Sequence, residues 1–239
     1  MMGKVYAVSD IHGVYPIFEQ IKNFLQPDDT CYILGDCADR ASEGWRIIQE
    51  VLKDERFIYL KGNHEQMLVD AIRQYNFYGD EHSEEHYLLY SNGGEQTYLD
   101  WLYTPYNAEW ISMLVNLPTQ ATYKNAQDQI VRLSHAGFTP GKNEYEWDED
   151  LLWDRKHFTD EWDEENYPDS IIVHGHTPTL HVDAELNKAY DRNMEPGAYW
   201  YCNNHKVCID NGTFATGYAT LLDLDTWEEH IFVCENFVA

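Results

Sequence analysis

The chain has 239 residues, 44% of them apolar and 15% aromatic, which is enough for one sizeable domain and too apolar for a disordered one. Its formal net charge of −26 repels polyanions, so binding to nucleic-acid backbones is not expected. No apolar run approaches the ~20 residues of a bilayer span, and from Met1-Met2-Gly3-Lys4 neither a signal peptide nor a myristoylation site is expected.

The predicted elements alternate in the first half of the chain. Residues 4–8 (KVYAV), 31–34 (CYIL) and 57–60 (FIYL) read as strands. Between and after them, Ile17-Phe18-Ile21-Phe24-Leu25, Trp45-Ile47-Ile48-Val51-Leu52 and Met67-Leu68-Ala71-Ile72 carry helical spacing. Strand–helix alternation predicts parallel strands with crossover helices. The stretch from about Tyr75 to Leu117 reads as helical, broken at Asn92-Gly93-Gly94. In the second half, residues 129–133, 170–173, 207–209, 220–224 and 231–233 read as strands of a second, partly antiparallel sheet. Together these predict a β-sandwich flanked by helices. No linker or repeat divides the chain, so one domain over 1–239 is expected. An acidic segment at about 141–169 holds twelve Asp and Glu between Glu144 and Asp169 against Arg155 and Lys156, the pattern of a solvated loop or helix face.

Five cysteines (Cys31, Cys37, Cys202, Cys208 and Cys234), an odd number without a CxxC pair, argue against a disulfide framework or thiolate zinc site. Free thiols in the reducing cytoplasm are expected.

Five polar motifs directly follow predicted strands: Asp10-Ile11-His12-Gly13, Gly35-Asp36-Cys37-Ala38-Asp39-Arg40, Gly62-Asn63-His64-Glu65, Ser134-His135-Ala136-Gly137 and His174-Gly175-His176-Thr177. The carboxyl ends of strands form the ligand crevice of open α/β sheets, so these residues should converge. Asp10 and His12 suit one shared ion, Asp36 can bridge two, and Asn63, His135 and His176 add one oxygen and two nitrogens. A mixed N/O set without sulfur suits Mn, Fe or Zn better than Ca. Alone, Asp10 with His12 reads as a capped turn and His135 as a core histidine; the ordered set points to a pair of divalent cations.

The set resembles the metallophosphoesterases of the phosphoprotein phosphatase type, and within them the compact bacterial and phage serine/threonine phosphatases of the lambda type. Asn92-Gly93-Gly94-Glu95, Leu151-Leu152-Trp153-Asp154-Arg155 and Ile209-Asp210-Asn211-Gly212 extend the likeness over about Val5 to Leu224. Cys37 stands where a larger residue is usual, and Ala41 where Gly is usual after the Arg. The resemblance implies a four-layer α/β (α+β) calcineurin-like fold, a sandwich of two mixed sheets flanked by helices. It implies that Asp10, His12 and Asp36 hold one metal and that Asp36, Asn63, His135 and His176 hold the second. It further implies that Arg40 and Arg155 grip phosphate, and that His64, oriented by Asp39, protonates the leaving group. The substrate-binding set is then Arg40, Arg155, Asn63 and His64.

The implied activity is a metal-dependent phosphomonoesterase, a serine/threonine protein phosphatase working by direct attack of a dimetal-bound hydroxide, with Mn2+ as the expected metal. The partner would be a phosphorylated protein or small phosphoester, with no membrane. One alternative is a dinucleoside polyphosphate or nucleotide hydrolase on the same site; another is a non-catalytic metal-binding scaffold. Arg40 also suits a structural pairing with Asp36 or Asp39, and Arg155 either grips phosphate or balances the acids around it. His174 is expected behind the ligands, His82 and His86 on a solvated helix, and Trp147, Trp153 and Trp162 at a substrate rim or under a loop.

Overall fold

The computed structural model describes residues 3–79, 83–138, 148–155, 158, 169–179 and 196–235. Two five-stranded mixed sheets face each other. The first has strands β1 (Val5–Val8), β2 (Thr30–Ile33), β3 (Phe57–Tyr59), β9 (Tyr218–Asp223) and β10 (Glu229–Val233), in the order β10-β9-β1-β2-β3. The second has β4 (Gln120–Lys124), β5 (Ile130–Ser134), β6 (Ser170–His174), β7 (Tyr199–Tyr201) and β8 (Lys206–Cys208), in the order β4-β5-β6-β8-β7. The central strands are parallel: β1 with β2, β2 with β3, β5 with β6 and β6 with β8. The flanking pairs are antiparallel.

Strand periodicity divides the apolar side chains between two cores. Ala7, Tyr32, Leu34, Leu60 and Leu222 point inward and meet Val131, Leu133, Val173 and Val207 of the second sheet. Their neighbours Tyr6, Val8, Cys31, Ile33, Phe57 and Tyr59 point outward to a layer of helices. That layer begins with α1 (Tyr15–Phe24), which buries Ile17, Phe18 and Ile21, and α2 (Gly44–Val51), which buries Trp45, Ile47, Ile48 and Val51. It continues with α3 (Asn63–Tyr78), α4 (Glu84–Ser91), α5 (Glu95–Tyr103) and α6 (Asn107–Val115). A short α7 (Asp148–Trp153) follows β5, and a one-turn α8 (Thr213–Thr216) precedes β9.

The helical stretch expected between Tyr75 and Leu117 is present as the end of α3 followed by α4, α5 and α6, with α4 and α5 separated at Asn92-Gly93-Gly94. Two strands had no counterpart among the sequence-based elements. β4 (QATYK) lies at a sheet edge and has no fully buried residue, and β7 is a three-residue edge strand. Edge strands need little apolar periodicity, so their signal is weak. His82, Trp147, Trp162 and most of the acidic segment lie outside the described residues. All five cysteines are free thiols, and among the described residues no helix is long and apolar enough to cross a membrane.

Because Leu222 is fully buried between the sheets, Leu222→Ala is expected to cost about 2–5 kcal/mol in a urea titration. Phe77 is 79% exposed, so Phe77→Ser should move stability by no more than about 0.5 kcal/mol.

Candidate active site

The parallel strands of both sheets end on the same side, and every motif picked out by the sequence lies there. Asp10 and His12 follow β1, Asp36 follows β2, Asn63 and His64 open α3 just after β3, His135 follows β5, and His176 follows β6. Six of the residues brought there adopt left-handed backbone: Asp10, His12, Asp36, Asp39, Arg40 and His176, with φ between 47° and 68°. Asp and His tolerate this region better than most residues, yet each such conformation costs about 1–2 kcal/mol. The chain is bent sharply at the strand ends so that the side chains turn inward. Two glycines permit the close approach. A Cβ at Gly62 would overlap Asp36 Oδ1, and one at Gly175 would overlap Ser9 Oγ and Asp10 Oδ2.

Asp36 is the centre. Its Oδ2 lies 3.6 Å from His12 Nε2, 3.5 Å from His135 Nε2 and 3.8 Å from His64 Nε2. Asp10 Oδ1 is 3.8 Å from His12 Nε2, while Asp10 Oδ2 accepts from Ser9 Oγ and from the backbone N–H of His176. On the other side of Asp36, Asn63 Oδ1, His135 Nε2 and His176 Nδ1 lie 2.8–3.1 Å from one another. Two trios, His12-Asp36-His64 and Asp36-His135-His176, each gather their ligand atoms within 4.8 Å, and Asp36 belongs to both.

These residues fit a pair of cations for a reason of hydrogen bonding. His12 Nδ1–H donates to the Ala38 carbonyl at 2.9 Å and His135 Nδ1–H to the Leu34 carbonyl at 2.7 Å. Both rings therefore present an Nε2 lone pair inward. His135 Nε2 and Asn63 Oδ1, 2.8 Å apart, are then both acceptors. Lone pairs facing one another in a buried cavity repel unless a cation lies between them. Burial pushes the imidazoles of His12 and His176 well down, helped by the neighbouring rings of His64 and His135 respectively. Deprotonated imidazole is the metal-binding form. Burial, reinforced by the Asp10 and Glu65 charges, pushes the Asp36 carboxyl well above the usual carboxylate range, a cost that a bound cation reverses.

His64 stands apart. Its Nδ1 lies 2.7 Å from Asp39 Oδ2, and its Nε2 is 3.3 Å from an Arg40 guanidinium nitrogen. Burial holds Asp39 up at about 7, and burial together with Arg40 holds His64 down at about 3. The Arg40 N–H donates to Nε2, so the ring carries its proton on Nδ1, toward Asp39. Arg155 sits beside the same cavity, its guanidinium donating to Thr177 Oγ1 at 2.8 Å, next to His176. The Trp153 ring meets the His176 ring edge-on at 6.1 Å. His174 faces away, with Nε2 2.8 Å from the Tyr201 hydroxyl, and burial raises the Cys37 thiol far above its ordinary value. His86 is buried against Tyr98 and Tyr90, not solvated as expected, because α4 turns it toward α5.

Sequence reading assigned no task to Glu65. Its carboxylate, fully buried, accepts from the backbone N–H groups of Asp36 at 2.8 Å, Ala38 at 3.1 Å and Gly62 at 2.9 Å. It thereby ties the loop after β2 to the first turn of α3. Its place three residues after the Gly62 cap was the available signal. Thr97 of α5 was also missed; its Oγ1 accepts from Asp39 N–H at 3.0 Å, a contact between distant segments that no local pattern announces.

The family model for calcineurin-like phosphoesterases matches residues 3–212. The chain belongs to this family. It is a phosphoric ester hydrolase by that membership, and the family's dinuclear divalent metal centre corresponds in place to the buried His/Asp trios. The fold agrees with solved structures across nearly the whole metallophosphoesterase. A candidate diadenosine tetraphosphatase shares 14% identity at a TM-score of 0.65, with 99% of this chain and 96% of that chain covered. A metallophosphoesterase from Sphaerobacter thermophilus shares 14% at 0.58, with 98% and 88% covered. A protein serine/threonine phosphatase from Saccharomyces cerevisiae shares 15% at 0.53, with 100% and 81% covered. No curated protein sequence matches the chain. At these identities the likeness is one of fold, and it includes enzymes of different substrates.

Glu65 supports Asp36 without facing the cavity, so Glu65→Ala is expected to weaken Mn2+ uptake about 10–100-fold in a calorimetric titration. An unchanged affinity would remove Glu65 from the support of the metal site.

Proposed function

We propose that the protein is a metal-dependent phosphomonoesterase acting on phosphoserine and phosphothreonine in protein substrates, on the pattern of the lambda-type phosphatases. The observation that carries this reading is the Asp39–His64 pair, 2.7 Å apart and set beside the Asp36 cluster. An alkyl phosphate ester releases a poor alkoxide that needs a proton as it departs, whereas a phosphoanhydride releases a phosphate that does not. A buried acid dyad is therefore worth most to an enzyme of phosphomonoesters. The net charge of −26 also disfavours a polyphosphate chain.

Asp10, His12 and Asp36 hold one cation and Asp36, Asn63, His135 and His176 the other, with Mn2+ favoured by the mixed N/O donors. The two cations, when bound, supply water activated at neutral pH and neutralise phosphate oxygens. Arg40 and Arg155 take the remaining phosphate oxygens through paired N–H donors. As Arg40 turns from His64 Nε2 to the phosphate, the ring loses a positive neighbour and gains a negative one, and both changes raise its proton affinity. Asp39 fixes the orientation of the ring through Nδ1–H, Nε2 freed from Arg40 takes up a proton from solvent, and the imidazolium gives that Nε2 proton to the leaving oxygen. The free cysteines suit a cytoplasmic location.

His64→Asn is expected to lower turnover of a phosphoserine peptide by about 10²–10⁴-fold while leaving metal content intact. The loss should be much smaller for p-nitrophenyl phosphate, whose leaving group needs no proton. Equal losses on both substrates would retire the acid assignment. Assaying the Mn2+-loaded protein on a phosphoserine peptide beside diadenosine tetraphosphate tests the substrate class, and preferential cleavage of the latter would overturn it.

A further inference from the structure

A cavity of about 570 Å³ opens beside the metal-ligand cluster, between α3, α4 and α7. Its apolar walls are Met67, Leu88, Leu152 and Trp153, and two carboxylates, Asp70 and Glu85, stand at its border. Met67 and Leu152 are almost fully buried, whereas Trp153 and Leu88 are 38% and 43% exposed. Two elements join the walls of the cavity to the site. α3 carries Asn63 and His64 in its first turn and Met67 one turn later, about 6 Å along the axis. α7 ends in Trp153, whose ring touches His176, and Arg155 follows two residues on. One extended residue spans about 3.3–3.6 Å, so one or two residues of extended peptide cover the separation between Asn63 and Met67 along α3.

The closest hydrogen-bond donors of the two carboxylates are neutral. Asp70 accepts from Gln66 Nε2 at 2.9 and 3.0 Å, and Glu85 from Gln74 Nε2 at 2.9 Å. Neutral amides satisfy oxygens without cancelling charge. Arg73 approaches Asp70 at 3.4 Å, but both side chains are substantially exposed, so that pair is weak. A largely apolar cavity bordered by two carboxylates, with the part-exposed Trp153 ring on its wall, is complementary to a long cationic side chain. The stem of such a side chain would pack on Met67, Leu88 and Leu152, and its cation would meet Trp153 and the carboxylates.

Resting on the phosphoprotein reading above, we propose that this cavity is the specificity subsite for an arginine or lysine next to the phosphorylated residue. The enzyme then selects phosphoserine in basic sequence contexts. A nucleoside base would fill the volume but would offer the two carboxylates no cation.

The test uses the full chain loaded with Mn2+ and three phosphoserine peptides that differ only in the flanking residues: arginine, alanine or glutamate. The arginine peptide is expected to exceed the alanine peptide about fivefold in kcat/KM, mainly through KM, with the glutamate peptide poorer still. In Asp70→Asn/Glu85→Gln the three peptides should become equal, while hydrolysis of p-nitrophenyl phosphate stays unchanged. Equal turnover of all three peptides by the unaltered enzyme overturns the subsite and leaves the phosphoprotein reading standing, as does a preference that survives in the double variant. No peptide turnover alongside intact p-nitrophenyl phosphate hydrolysis overturns both. Cleavage of diadenosine tetraphosphate that collapses in Trp153→Ala gives the cavity to a base and overturns the subsite.

Discussion

The whole site depends on one electrostatic constraint: a buried carboxylate, Asp36, is surrounded by groups that offer it lone pairs. His12 and His135 each spend their Nδ1 proton on a backbone carbonyl and direct Nε2 at Asp36 Oδ2. Asp10 and Asn63 add further acceptors. In a low-dielectric cavity such an assembly is unfavourable for the apoprotein and favourable for a cation complex. The rest of the molecule can be understood as the framework that holds these groups together against that repulsion.

The framework acts through the backbone more than through side-chain packing. Five strand ends deliver the candidate site residues, and six of the residues gathered there are held in left-handed conformations. Glu65 binds three N–H groups from two loops, and Thr97 reaches in from α5 to fix the Asp39 backbone. The two sheets and the outer helices supply the rigidity that such local strain requires.

Much of this was legible in the sequence for identifiable reasons. The parallel strands were short apolar runs ended by Gly or Asp, and their placement ahead of each polar motif made convergence at one edge a consequence of topology. The sequence-based strands at 129–133 and 170–173 agree with β5 and β6 to within a residue at either end. β4 escaped because this edge strand has no fully buried residue, and β7 because a run of three residues is too short to show a period although Tyr199 and Tyr201 are buried. His86 was misjudged because two histidines four apart on a polar helix look solvated, whereas Tyr98 of the next helix covers this one. The contacts of Glu65 and Thr97 span 27–29 and 58 residues respectively where they reach other loops, and nothing local encodes them. Left-handed backbone at Asp10 or His176 is likewise a tertiary outcome, since neither residue type demands it.

The cluster around Asp36 draws its members from both halves of the sandwich. Asp10, Asp36 and Asn63 come from the first sheet's strand ends, and His135 and His176 from the second's. Ions held by this set would clamp one layer to the other, in addition to the apolar packing of Leu222, Val131 and Val173 between the sheets. Because only the assembled sandwich presents the full set of donors, ion occupancy and global stability are thermodynamically linked. Scarcity of the metal in the cell would thus lower the amount of intact protein as well as its turnover.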